Sequence, residues 1–174
     1  MSNGLDDCQS DHRRNLLALY VEKNNSLLSM IDFECTPRVA LEFMNREHQK
    51  AFDDANALKI LLDSALDASG PVAADIENLL QTLLADTVTH FELEQQCMEE
   101  YLFPARADHY REHQRVLQWM IDEHSRWDRD HSVETITHLR RYASNEFPGW
   151  LLNHIVTMDT VMASYIHRHG GTSI

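Results

Sequence analysis

Residues 90–113 of the chain read HFELEQQCMEEYLFPARADHYREH, and this stretch decides the fold. It opens with a His/Glu pair four residues apart and closes with a His/His pair of the same spacing. Because four residues make about one helical turn, both members of each pair lie on one face of a helix. Leu102-Phe103-Pro104 separates the pairs and breaks the helical pattern. The stretch therefore predicts two antiparallel helices that bring their polar pairs close together.

Amphipathic helical patterns continue outward from this stretch in both directions. Glycine and proline number only 5 and 4, and Ser69-Gly70-Pro71 and Gly170-Gly171 mark helix ends. Four long amphipathic helices with short connections predict an all-α, antiparallel up-and-down four-helix bundle over residues 31–170. Residues 1–30 are predicted to be an N-terminal extension, either a short docked helix or a frayed tail. The predicted helical stretches cover residues 38–68, 72–101, 105–127, 133–145 and 147–169.

Charge and cysteine usage exclude several classes of function. The formal net charge of the 174 residues is -13, which argues against binding to nucleic acids or anionic membrane surfaces. No apolar run is long enough to cross a bilayer, and residues 1–11 do not resemble a secretory signal. Cys8, Cys35 and Cys97 show no paired spacing. We therefore expect free thiols in a cytoplasmic protein.

Polar side chains interrupt the apolar stripe of every main helix. A buried histidine or carboxylate costs free energy unless it is paired or bound to a metal. A single histidine on an apolar face is more often structural, but two pairs with helical spacing and a histidine on each remaining helix predict a metal site. The candidate ligands are His48, His90, Glu94, His109, His113, His154 and Asp159.

The step from His154 to Asp159 is the exception in this pattern. Five residues rotate about 140° beyond a full helical turn, so a regular helix does not put both side chains into one cavity. Spacing instead places Asp159 on a flanking stripe with Ile155 and Met162. Asp159 could still reach the site if its carboxylate bridged two metals.

Four short runs carry a resemblance to a known family. They are EHQKAF at 47–52, HFELE at 90–94, HYREH at 109–113 and WLLNHIVTMD at 150–159. In order and in local spacing they resemble the hemerythrin family, including bacterial hemerythrins, over residues 31–168. All the ligand positions of that family are filled here.

The resemblance implies two non-haem iron ions joined by an oxo or hydroxo bridge. His109, His113 and His154 would bind one iron, His48 and His90 the other, and Glu94 and Asp159 would bridge them. A histidine-rich ligand set of this kind favours reversible capture of dioxygen over cleavage of its O–O bond. The expected apolar lining is Phe52, Phe91, Met98, Trp150, Leu151 and Ile155. The histidines expected on the surface or in the tail are His12, His124, His131, His138, His167 and His169, and Cys97 is expected to be a small buried hydrophobe.

Three functions stay open at this stage. The first is an oxygen carrier, store or supplier. The second is a sensory module that binds oxygen or nitric oxide and signals to a protein partner or a second copy through residues 1–30. The third is a di-iron oxidase, or a scavenger of peroxide or nitric oxide. No general acid or base stands out beyond the ligands, so we expect a protein that is not an enzyme.

Overall fold

The computed structural model describes residues 37–67 and 73–171, and most of these residues are helical, with no strand among them. The predicted all-α four-helix bundle is therefore confirmed. Residues 1–30 and the Ser69-Gly70-Pro71 connection lie outside the described residues. The helices are α1 (Glu42–Leu66), α2 (Ala73–Glu100), α3 (Arg106–Arg129), α4 (Val133–Arg141), α5 (Phe147–His154) and α6 (Thr160–Arg168).

The fourth helix of the bundle is composite. Two wide π turns, π1 (Tyr142–Glu146) and π2 (Ile155–Asp159), join α4, α5 and α6 without a break. We call this run, Val133 to Arg168, the fourth helix. α1 packs against α2 and against the α4–α5 part of the fourth helix, and α2 also packs against α3. The buried stripe of α1 includes Phe52, Ala55, Leu58 and Leu62, as its amphipathic pattern predicts.

Asn45 fixes the start of α1. The buried Asn45 side chain accepts a hydrogen bond from the Val39 N–H at 2.8 Å and donates one to the Val39 carbonyl at 3.0 Å. These bonds hold residues 39–41 in a non-helical conformation. The helix therefore begins at Glu42, and the prediction of a start near Arg38 was wrong.

The turn after α2 contains a leucine in an unfavourable backbone conformation. The Phe103 N–H donates to the Met98 carbonyl at 2.9 Å, closing a helix C-cap that places Leu102 at φ 53°. This left-handed region suits glycine and disfavours a side chain with a Cβ. The Leu102 side chain is 71% exposed, so packing does little to offset the strain.

Leu102→Gly should therefore stabilise the protein, by about 0.5–1 kcal/mol in free energy of unfolding. Denaturant unfolding followed by circular dichroism measures this change. Val161→Gly is the matched control, because Val161 is also an exposed apolar residue (55%) but lies within the regular α6. It should destabilise by roughly 0.5 kcal/mol. A loss of stability in Leu102→Gly would show that the leucine side chain stabilises the turn after all.

Pro148 does not separate two helices, contrary to the prediction of a stretch ending at Asn145 and a new helix after it. Proline lacks the N–H that would bond to the carbonyl four residues back, and its ring crowds that carbonyl. The π1 turn precedes it, with the Phe147 N–H donating to the Tyr142 carbonyl five residues back. This wider turn makes room for the ring, so the helix continues through Pro148.

Among the described residues, no helix is long and apolar enough to cross a membrane. The cytoplasmic location stays a prediction.

The fourth helix ends at Arg168. Two residues later Gly170 adopts φ 92°, the left-handed conformation that the Gly170-Gly171 pair predicts at a helix end.

Candidate metal centre

The two polar pairs of the 90–113 stretch meet in the core between α2 and α3. His90 and Glu94 are one turn apart on α2, and His109 and His113 are one turn apart on α3. All four side chains are buried. The Glu94 carboxylate lies between the pairs, with Oε1 3.1 Å from His90 Nε2 and Oε2 3.2 Å from His113 Nε2.

The π2 turn brings Asp159 into the same cavity as His154. The turn spans Ile155–Asp159, and the Thr160 N–H donates to the Ile155 carbonyl five residues back. The Thr160 hydroxyl donates to the same carbonyl at 2.7 Å. A turn with five-residue bonding places residue i+5 nearly above residue i. Asp159 Oδ1 therefore lies 3.1 Å from His154 Nε2, although a regular helix would turn it away.

The two carboxylate oxygens of Asp159 face different histidines, as those of Glu94 do. Its Oδ2 lies 3.1 Å from His48 Nε2, while its Oδ1 faces His154 and also lies 3.2 Å from His109 Nε2. The ligand candidates thus form two nests. The three-histidine nest contains His109, His113 and His154, and the two-histidine nest contains His48 and His90. Each carboxylate gives one oxygen to each nest.

The nitrogens of the three-histidine nest converge on one point. His154 Nε2 lies 3.1 Å from the Nε2 atoms of both His109 and His113. Ligands about 2.1 Å from a metal and at right angles to each other are roughly 3 Å apart, so this spacing fits a shared cation. His109, His113, His154 and Glu94 form one group with metal-binding geometry, and His48, His90 and Glu94 form another.

Unsatisfied buried atoms give an independent test of this fit. Both oxygens of Glu94 and of Asp159 lack a partner with hydrogen-bond geometry among the described residues, and so do Nε2 of His48 and of His90. Burying polar and charged atoms in this way is costly unless something binds them. Two cations, one in each nest, would satisfy all of these atoms, so the residues fit a two-metal site.

Electrostatics in the cluster keep both carboxylates ionised. Burial acts to raise the pKa of Glu94, and the Asp159 charge adds to this, but the imidazoles around it outweigh both and hold its pKa well below the usual range. The pKa of Asp159 is lowered in the same way, against burial, by His154, His109 and His48. Burial acts to lower the pKa of His109, but the two carboxylates raise it to about 9. The cluster therefore offers two negative charges to a cation.

Aromatic rings enclose the three-histidine nest. Phe91 stacks on His113 with ring centroids 3.6 Å apart and parallel planes. Trp150 stacks on His154 at 5.1 Å and 28°. The indole N–H of Trp150 donates to Glu112 Oε1 at 2.8 Å. Glu112 did not appear among the sequence-based candidates; its place beside His113 in HYREH was the only signal.

A small cavity of about 20 Å³ lies against the two-histidine nest. That volume holds about one water-sized molecule. Phe91, Trp150 and Leu151 line it as predicted, whereas Phe52, Met98 and Ile155 are buried elsewhere in the core. The whole lining comprises Glu47, His48, Lys50, Ala51, Leu83, Asp86, Thr87, His90, Phe91, Phe147, Trp150 and Leu151.

Two histidines expected on the surface are half-buried instead. His124 Nε2 lies 2.8 Å from Glu77 Oε1, and His138 Nε2 lies 2.8 Å from Glu123 Oε2. Both pairs join different helices, which single-helix spacing does not reveal. His131, His167 and His169 are exposed as predicted, and His12 lies outside the described residues. Cys97 is a free buried thiol, as expected, and burial raises its pKa.

Comparison with known proteins gives a consistent result. Residues 39–166 match the family model described as "Hemerythrin HHE cation binding domain". A bacteriohemerythrin of Ralstonia nicotianae (strain ATCC BAA-1114 / GMI1000) is 32% identical over 122 residues, which cover 69% of this chain and 83% of the relative. A bacteriohemerythrin of Aquifex aeolicus (strain VF5) is 27% identical over 90 residues, 52% of this chain and 66% of that protein. The latter match spans just under two thirds of the Aquifex protein.

Solved structures support the fold. The crystal structure of a wild-type hemerythrin superposes with a TM-score of 0.59 at 20% identity, covering 81% of this chain and 98% of that one. A hemerythrin variant superposes with a TM-score of 0.56 at 21% identity, covering 74% of this chain and 89% of that one. At these identities the likeness concerns the bundle alone.

Proposed function

The chain belongs to the hemerythrin family, and from this premise we propose that it holds two iron ions and binds dioxygen reversibly. His109, His113 and His154 would hold one iron, and His48 and His90 the other. Glu94 and Asp159 would bridge the two, because each sends one oxygen to each nest. Two ferrous ions would supply two electrons to dioxygen on binding and recover them on its release.

The cavity beside the two-histidine nest is the observation that carries this proposal. A nest with fewer protein ligands has room for an external ligand, and the cavity lies directly against His48 and His90. A volume of about 20 Å³ suits a diatomic molecule better than an organic substrate. The proposal therefore includes that the protein is a binder rather than an enzyme.

The residues that line the cavity would keep water away from a bound diatomic molecule. Leu83, Phe91, Phe147 and Leu151 present apolar surface to the cavity, which disfavours bulk water. At its edge, Lys50 pairs with Asp54 on its own helix at 2.7 Å and with Asp86 on α2 at 2.6 Å. The pair with Asp86 ties α1 to α2 at the edge of the cavity.

An absorption spectrum tests the proposal. Reduced, iron-loaded protein exposed to air should develop a visible charge-transfer band that fades when oxygen is removed and returns when it is readmitted. Iron analysis should give close to two equivalents per chain. Prompt conversion to a permanently ferric form, with peroxide released, would contradict reversible binding and favour an oxidase or scavenger. Fast autoxidation with reversible nitric oxide binding would favour a sensor.

A further inference from the structure

The outward faces of three candidate ligands lack the usual support. With Nε2 turned into the nest, the Nδ1 atom of each ligand imidazole faces away from it. Histidines that bind metals almost always donate this second N–H to an acceptor, which fixes the ring. In His90, His113 and His154, however, Nδ1 has no hydrogen-bond partner among the described residues. Another contact must hold these rings.

Ring stacking fills that role for His113 and His154. Phe91 covers His113 face to face at 3.6 Å, and Trp150 covers His154 at 5.1 Å with planes 28° apart. Aromatic rings in such offset or parallel contact resist rotation of their partner because turning one ring drives it into the other. His154 needs this support most. It ends the eight-residue α5, which lies between the two π turns, whereas His109 and His113 lie within the regular α3.

The stacked indole is itself anchored to α3. Trp150 Nε1–H donates to Glu112 Oε1 at 2.8 Å. Arg115 holds the same carboxylate with two hydrogen bonds, from Nε at 2.9 Å and from Nη2 at 2.7 Å. A two-point arginine contact fixes the plane and direction of a carboxylate. Arg115, Glu112 and Trp150, which we call the indole clamp, thus connect α3 to the ring of His154.

We propose that Trp150 is a positioning residue that holds His154 in its metal-binding orientation, and that Glu112 acts through it. This inference rests on the proposed function for the identity of the metal. In other metal sites, a hydrogen bond from the second ring nitrogen orients the ligand histidine. Here the indole face of Trp150 orients the imidazole of His154, and the hydrogen bond from the indole N–H to Glu112 holds the indole. The clamp thereby fixes the one member of the three-histidine nest that α3 does not supply.

Iron release from the full chain tests the clamp. Iron-loaded protein is mixed with a ferrous chelator, and the rate of iron loss is followed. Trp150→Leu and Glu112→Leu should both accelerate release, by roughly 10–100-fold for Trp150→Leu, as for other residues that orient ligand histidines. Glu112→Gln keeps an acceptor for the indole and should restore release to near the wild-type rate. Trp119→Phe is the matched control, because Trp119 borders the same surface groove as Trp150 and its ring contact is with Tyr142.

Fluorescence of metal-free protein gives a second readout. The emission of Trp150 is obtained by difference from Trp150→Phe. Acrylamide should quench it more strongly in Glu112→Leu than in wild type, with no change in Glu112→Gln. Unchanged release and unchanged quenching in folded Glu112→Leu protein would overturn the proposal, as would failure of Glu112→Gln to restore either. A wild-type chain that binds fewer than two metals would instead refute the proposed function, and quenching would still decide whether the clamp exists.

Discussion

Asp159→Ala protein should retain less than half of the iron of the wild-type chain. Asp159 places one oxygen 3.1 Å from His48 and the other within 3.2 Å of His109 and His154, so its loss removes a ligand from both nests. It also removes one of the two negative charges that the buried cluster offers to the cations. Glu94→Ala should have the same effect for the same reason. Metal analysis of protein grown with iron measures both.

Exposed acidic residues supply the controls for this prediction. Glu92 lies on α2 two residues before Glu94 and faces solvent, and Asp122 is exposed on α3. Glu92→Ala and Asp122→Ala should keep the full iron content, with no more than a few tenths of a kcal/mol change in stability. Full iron in Asp159→Ala would remove Asp159 from the ligand set. It would also make the π2 turn irrelevant to metal binding.

Removal of both metals should lower the unfolding temperature by on the order of 15–30 °C. Binding to the folded state alone stabilises by about 4 kcal/mol per site when the free metal concentration is a thousand times the dissociation constant. Each kcal/mol shifts the midpoint by roughly 2–4 °C for a chain of this length. Without metal, the oxygens of Glu94 and Asp159 stay buried without hydrogen-bond partners, which adds to the loss. Calorimetry with and without a chelator measures the shift.

Asp159→Ala serves as the control for that shift, because a chain that does not hold both metals should unfold at nearly the same temperature with and without chelator. The shift in wild type should also return when ferrous iron is restored. If chelator changes the wild-type midpoint by less than about 2 °C, the apolar core alone stabilises the bundle and the centre contributes little to it.

Residues in regular helices were predictable from the sequence. A step of four residues places His90 with Glu94, and His109 with His113, on single faces whatever else the chain does. The apolar stripe of α1 follows in the same way from its period, and the bundle follows from four such stripes that must be buried. Six of the seven candidate ligands could be named because polar side chains inside apolar stripes require compensation. Asp159 joined them through the resemblance to the hemerythrin family. Their binding of metal stays a prediction.

Departures from regular helix geometry were not predictable from spacing. The period of 3.6 residues turns Asp159 away from His154, and the π2 turn reverses that. The period gives no sign of the π1 turn that carries the helix through Pro148, or of the strained Leu102 in the turn after α2. Each of these is a local departure from regular helix geometry, and a helical period alone does not specify it.

The sequence by itself determined which residues are candidate metal ligands and which helix presents each of them, because sequence motifs and polar side chains inside apolar stripes are local features of the chain. Only the tertiary structure decided how these residues combine. It set the division of the carboxylate oxygens between the two nests, the cavity beside His48 and His90, and the clamp that runs from Arg115 through Glu112 to Trp150. These features depend on distances between different helices. Such distances are fixed by how the side chains of the whole core pack together, and no local pattern specifies them.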